Sequence, residues 1–137
     1  MGEVKVKIKL TNNVDDVLAR QGKLARNEVR FIELEGIVDT GAICMTLPSH
    51  VVQQLGLTRI GKQVAQYADG RLDEVDVTEA VQVEILGRKT SEEAMVLGDE
   101  ILIGQTVLEK TDLLVDCHRQ QLIPNPAHPN QPVMKIR

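Results

Sequence analysis

Apolar and polar residues alternate through residues 3–10, with Val4, Val6, Ile8 and Leu10 on one parity and Lys5, Lys7 and Lys9 on the other. A period of two places the apolar set on one face of a β-strand and leaves the lysines on a solvated face. A second strand is predicted over residues 29–38, with Gly36 marking a bulge or a close backbone approach. The polar stretch 12–27 between them fits either a loop or a short helical turn. Pro48 opens a short helix over residues 49–55 and Gly56 closes it, the usual asymmetry of proline at a helix start and glycine past its end.

Strand patterns return from Lys62. Residues 64–68, then Asp69-Gly70, then the chain from Arg71 onward predict a hairpin with a tight two-residue turn. Its return limb reads as long, because Val75, Val77, Val81, Val83 and Ile85 share one parity. Gly87 marks another turn and residues 93–97 a short strand. The apolar run Ile101-Leu102-Ile103-Gly104 suits a strand buried on both faces. One or two helical turns follow over 105–110, and a last hairpin over 112–117 and 121–123 turns at His118-Arg119-Gln120. Four of the five prolines fall from Pro124 onward, which predicts an extended arm over 124–137. The chain is therefore mainly β with one or two short helices, and residues 1–123 form one domain.

Composition narrows the function classes. A formal charge of −4 and an aromatic content of 1%, from Phe31 and Tyr67 alone, argue against nucleic-acid binding, which needs cationic contacts and stacking platforms. No stretch approaches the ~18 consecutive apolar residues of a membrane span, and the first residues do not read as a signal sequence. Two cysteines, Cys44 and Cys117, are too few for a disulfide framework and fit reduced thiols in a cytoplasmic protein.

Candidate chemistry centres on Ile37-Val38-Asp39-Thr40-Gly41-Ala42, a buried strand running into a tight turn that presents one carboxylate. By itself such a tripeptide is equally an ordinary strand exit. Asp116-Cys117-His118 has metal-ligating residue types, but neighbours on a strand point to opposite faces, so a structural role is expected. His50 and His128 are expected at the surface, and the acid pairs Asp15-Asp16 and Glu92-Glu93 in solvent. Tyr67 is either a half-buried strand residue or a contact over a cleft.

The Asp-Thr-Gly-Ala segment, the Asp-Gly hairpin about thirty residues on and the Ile101–Gly104 run followed by a short helix together resemble the retroviral-type (retropepsin-like) aspartic proteases, above all their stand-alone cellular and prokaryotic relatives. Residues 29–123 carry the resemblance. It implies a closed, small β-barrel in which one chain supplies half an active site. Asp39 would be the catalytic acid, Thr40 would brace the two loops across a dimer axis, and Gly41 would let backbone approach the carboxylates. Ala42, Tyr67, Ala68, Asp69 and Gly70 would line the cleft or form a flap over it, and residues 101–104 would cross behind the catalytic loop. With one Asp-Thr-Gly per chain, an enzyme of this kind is a homodimer acting on a peptide or protein substrate, without metal or cofactor. Ala42 offers no side-chain hydrogen bond where two-lobed relatives tend to carry a hydroxyl, which implies a less acidic optimum than a stomach-type protease has. The charged tip at Asp69 and Arg71 departs from the glycine-rich flaps of the viral enzymes. The competing reading is a catalytically silent dimer that binds peptides or builds assemblies on the same fold.

Overall fold

The computed structural model describes residues 3–137; Met1 and Gly2, the start of the predicted domain, lie outside the described residues. In chain order the elements are β1 (Val4–Asn12), α1 (Asn13–Arg20), β2 (Phe31–Val38), β3 (Met45–Leu47), α2 (Ser49–Leu55), β4 (Arg59–Gln66) and β5 (Leu72–Thr78). They continue as β6 (Val81–Ile85), β7 (Arg88–Glu92), β8 (Ala94–Val96), β9 (Leu102–Ile103), α3 (Gln105–Thr111), β10 (Leu113–Asp116) and β11 (Gln121–Pro124). Nine strands make one sheet in the order β4-β5-β8-β3-β9-β2-β1-β6-β7, and β10 pairs with β11 alone.

The fold is mainly β, but the sheet is open and the predicted closed barrel is corrected. Closure would need β4 to meet β7, and each pairs instead on one side only. Both edges are rich in polar and charged side chains, Arg59 and Lys62 on β4 and Arg88, Lys89 and Glu92 on β7, a composition that discourages further strand pairing.

The core gathers on one face of this sheet. Ile8 and Leu10 from β1, Val81, Val83 and Ile85 from β6, Met45 and Leu47 from β3 and Ile103 from β9 are each 1% exposed or less. Val51, Val52 and Leu55 of α2 and Val107 and Leu108 of α3 join the same cluster, so both short helices are held by their apolar sides rather than by length. The proline–glycine helix stands as predicted: Pro48 caps α2 and Gly56 ends it at φ +66°. At Gly36 the register is unbroken, and an added Cβ would lie 3.0 Å from Ile103 Cδ1, so the glycine serves close approach and not a bulge.

One open choice is settled and three other expectations change. Within the 12–27 stretch the helical alternative holds for α1, because Asn12 caps it by accepting at Oδ1 from the Asp15 N–H at 3.0 Å while its Nδ2 donates to Leu55 O at 2.8 Å. The long return limb is two strands: the chain breaks after Thr78, sending β5 to β8 on one side of the sheet and β6 to β1 on the other. Asp15-Asp16 are not solvated. Asp15 is 6% exposed and takes Arg30 Nε at 2.8 Å, and Asp16 pairs with Arg20 and Arg26. The segment after β11 lacks regular structure but is tied down. Asp112 accepts from Asn125 Nδ2 and Val133 N and meets His128 Nδ1 at 2.6 Å, so His128 is not a free surface residue. Buried Arg88 adds bonds to the carbonyls of Thr111, Asp112 and His128.

Candidate active site

The loop carrying Asp39 is built on β9. This two-residue strand runs parallel to β2, pairing Leu102 with Ile37 and Ile103 with Val38, and antiparallel to β3, pairing Leu102 with Thr46. It therefore separates the strand entering the loop from the strand leaving it. The Asp39 N–H donates to Ile103 O at 3.0 Å. The first turn of α3 holds the other half of the loop, since Gln105 N and Thr106 N donate to the carbonyls of Ala42 and Ile43. Those are helix-start donors with no partner inside the helix, and the loop satisfies them. Thr106 Oγ1 also reaches Ile43 O at 3.0 Å.

Gly104 makes the crossing feasible. A Cβ there would lie 2.6 Å from Cys44 O and 2.7 Å from Ile43 O, so any larger residue would push the loop off the strand. This accounts for the glycine closing the Ile101–Gly104 run, and it bears out the expectation that the run crosses behind the loop.

Asp39, Thr40, Gly41 and Ala42 come together in one turn. Ala42 N donates to Asp39 O at 3.1 Å and Gly41 N to Asp39 Oδ1 at 3.0 Å. A Cβ on Gly41 would sit 3.2 Å from that carboxylate oxygen. Asp39 is half-buried, Thr40 exposed, and the neighbouring Ile43 is 73% exposed. Residues paired directly across a sheet share a face, so Ile37, Leu102, Thr46, Met95 and Val77 form one row. Asp39, two residues beyond Ile37, follows the alternation onto that face. Val38 and Ile103 turn the other way, to the core.

Tyr67, Ala68, Asp69 and Gly70 form a second group at the tip of the β4–β5 hairpin. The turn differs from the two-residue one expected: Tyr67 N donates to Arg71 O and Gly70 N to Tyr67 O, enclosing three residues. Only Gly70 of these takes positive φ, at +87°, which is a type I turn with a glycine bulge. Asp69 Oδ1 caps the turn from Arg71 N, and Arg71 stacks on the Tyr67 ring at 4.3 Å from its centroid. Tyr67 and Arg71 thus brace the tip against each other. The hairpin joins the row that runs from Ile37 through Val77 and Met95.

Other candidates are structural. Asp116 Oδ1 accepts from His118 N and Arg119 N and so caps the β10–β11 turn. Glu92 is not in solvent as expected, since its side chain is 14% exposed and meets Lys110 at 3.1 Å, whereas Glu93 is exposed. A cavity of about 320 Å³ lies at the far end of β2, lined by Lys9, Asp16, Arg26, Phe31, Gln82 and Lys89, away from the Asp39 loop. No helix among the described residues is long and apolar enough to cross a membrane.

No protein-family model and no curated protein matches the chain. Among solved structures, the foamy viral protease-reverse transcriptase in complex with an RNA/DNA hybrid is similar at TM-score 0.51 and 18% identity, over 77% of this chain and 11% of that one. This chain therefore spans only a small part of that protein's length, and the likeness is one of fold, retroviral-protease-like.

Proposed function

We propose that the chain is one half of a homodimeric aspartic endopeptidase whose catalytic pair is Asp39 from each of two copies. The observation that carries this reading is the Asp39 loop itself: one half-buried carboxylate, its Oδ1 accepting from the Gly41 N–H, backed by β9. The retroviral-protease-like fold supports it, as does Ile43, an apolar side chain 73% exposed beside the loop and suited to a partner surface.

Two carboxylates brought within hydrogen-bonding distance share one proton, because both cannot ionise in contact. The ionised member takes a proton from a water between them, and the protonated member donates to the scissile carbonyl oxygen. Water attack gives a tetrahedral diol, which collapses as the amide nitrogen receives a proton and the carboxylates exchange roles. Thr40 would brace the two loops. The peptide would lie extended along the floor row beneath the β4–β5 hairpin, with backbone pairing for affinity and side-chain contacts for selectivity. Residues 1–123 are the catalytic domain, with 124–137 an arm anchored to it, and the free thiols of Cys44 and Cys117 suit a reducing cytoplasm.

Peptide-library cleavage by wild type and Asp39→Asn, with sedimentation to count subunits, tests the proposal. The substitution should lower cleavage by about a thousandfold while moving stability by less than ~0.5 kcal/mol. Cleavage that persists in Asp39→Asn would end the mechanism. Dimers that cleave no peptide would favour the silent binding module.

A further inference from the structure

The Asp39 loop is held by different means where it begins and where it ends. At its start, the Asp39 N–H joins the sheet through Ile103 O. At its end, Ile43 O takes two donors from one residue, Thr106 N at 3.1 Å and Thr106 Oγ1 at 3.0 Å. The same helix turn brings Gln105 N to Ala42 O at 2.8 Å. Ala42 N donates in turn to Asp39 O, so a shift at residues 42–43 reaches Asp39 through a single turn.

Helix formation does not account for a threonine at this place. Threonine is a weaker helix former than alanine, glutamate or glutamine, and α3 starts without a side-chain cap or an acid in its first turn. Stability does not account for the hydroxyl contact either. It joins residues 63 apart, a half-buried Thr106 and an exposed Ile43, at a surface where water could satisfy both groups. Such a bond adds little to folding but fixes a position. An added Cβ at Gly104 would stand 2.7 Å from Ile43 O. The glycine thus admits this carbonyl, and the threonine holds it there.

We propose that Thr106 is a positioning residue for catalysis: its hydroxyl fixes Ile43 O, and through the Ala42–Asp39 turn it sets where the Asp39 carboxylate meets its counterpart. This rests on the Asp39 pair being a peptidase site. Displacing a reacting group by about 1 Å costs up to about a hundredfold in rate, so a bond of small worth to stability matters to turnover. The pH profile carries the same signature. The closer two carboxylates lie, the further apart are the two apparent pKa values of the pair. Activity belongs to the singly protonated pair, so a looser pair gives a narrower bell. Its acid limb moves up in pH and its alkaline limb moves down.

The test compares wild type with Thr106→Val, which keeps the shape, and Thr106→Ser, which keeps the hydroxyl. Cleavage of one library-selected peptide is followed at concentrations where sedimentation shows dimers. Thr106→Val should lower kcat roughly tenfold or more with KM within about twofold, and should narrow the pH profile from both sides. Thr106→Ser should restore rate and width. The melting temperature of either variant should move by no more than about 3 °C. An unchanged kcat in Thr106→Val, a loss confined to KM, or a slower enzyme with an unaltered pH profile overturns the positioning role. A fall in melting temperature several times larger overturns it too, since Thr106 would then be structural. Wild type that cleaves no peptide overturns the paired-aspartate reading and this role with it, whereas a fault at Thr106 alone leaves wild-type cleavage intact.

Discussion

Asp15 and Asp39 each sit where a strand gives way to a turn or helix, yet the chain treats them differently. Asp15 accepts from Arg30 N, Nε and Nη2, with both carboxylate oxygens used. The Arg30 side chain, against the cost of burial and with help from the Arg30 N–H and charge, holds its carboxyl below the usual carboxylate range. Asp39 takes one hydrogen bond, from Gly41 N to Oδ1. A carboxylate filled by its own chain's donors closes a structure, whereas one with acceptor capacity left over is equipped for a ligand or a second chain. Asp16 and Asp112 belong with Asp15. Hydrogen bonds from Arg26 and then Gln82 hold Asp16 low, and bonds from Asn125 and then Val133 hold Asp112 low.

The contrast can be broken most forcefully at the strand beneath Asp39. Gly104→Ala should cost about 3 kcal/mol or more, since its Cβ meets two backbone carbonyls that cannot yield separately. Urea denaturation measures this, and a loss below ~1 kcal/mol would mean that β9 does not hold the loop.

Asp15→Asn should cost about 1–3 kcal/mol at neutral pH by weakening a charge-assisted network, with peptide cleavage by the folded protein unchanged. The sign of its pH dependence follows from the lowered folded pKa. The stabilisation is fully present above the unfolded value of roughly 3.9 and is lost as pH falls through the folded one. The stability gap between wild type and Asp15→Asn should therefore hold from pH 8 to 5 and shrink below about pH 4. A gap that widened on acidification would contradict the assignment of Asp15 as a paired carboxylate.

The smallest effect is expected at the hairpin tip. Gly70→Ala forces a Cβ into φ +87° with open space around it, so the cost is backbone strain of about 1 kcal/mol and not a clash. A thermal melt should register it. A change several times larger would show that the turn packs on something further.

Local chemistry made much of this legible. The alternation of β1, the Pro48 and Gly56 helix boundaries and the Ile101–Gly104 strand each follow from neighbouring residues, and the Asp39–Ala42 turn was visible for the same reason. What escaped depended on distant partners. Asn12 caps α1 while its amide bonds a carbonyl 43 residues away, and Asp15 is buried only because Arg30 returns over it. The unbroken parity from Val75 to Ile85 hid the point where β5 and β6 part, because both halves carry apolar residues at odd positions although Val77 faces the Asp39 side of the sheet and Val81, Val83 and Ile85 face the core. The open edges of the sheet likewise depend on which strands fail to meet, and no local pattern records that.

The central claim is that two Asp39 carboxylates act as one site. Adding increasing amounts of Asp39→Asn chain to a fixed amount of wild type, under exchange, tests it most directly. Mixed dimers hold one aspartate each, so cleavage should fall toward zero as the variant comes to outnumber the wild type. Cleavage that stays constant across the titration, with sedimentation showing that the chains have mixed, would contradict a shared pair.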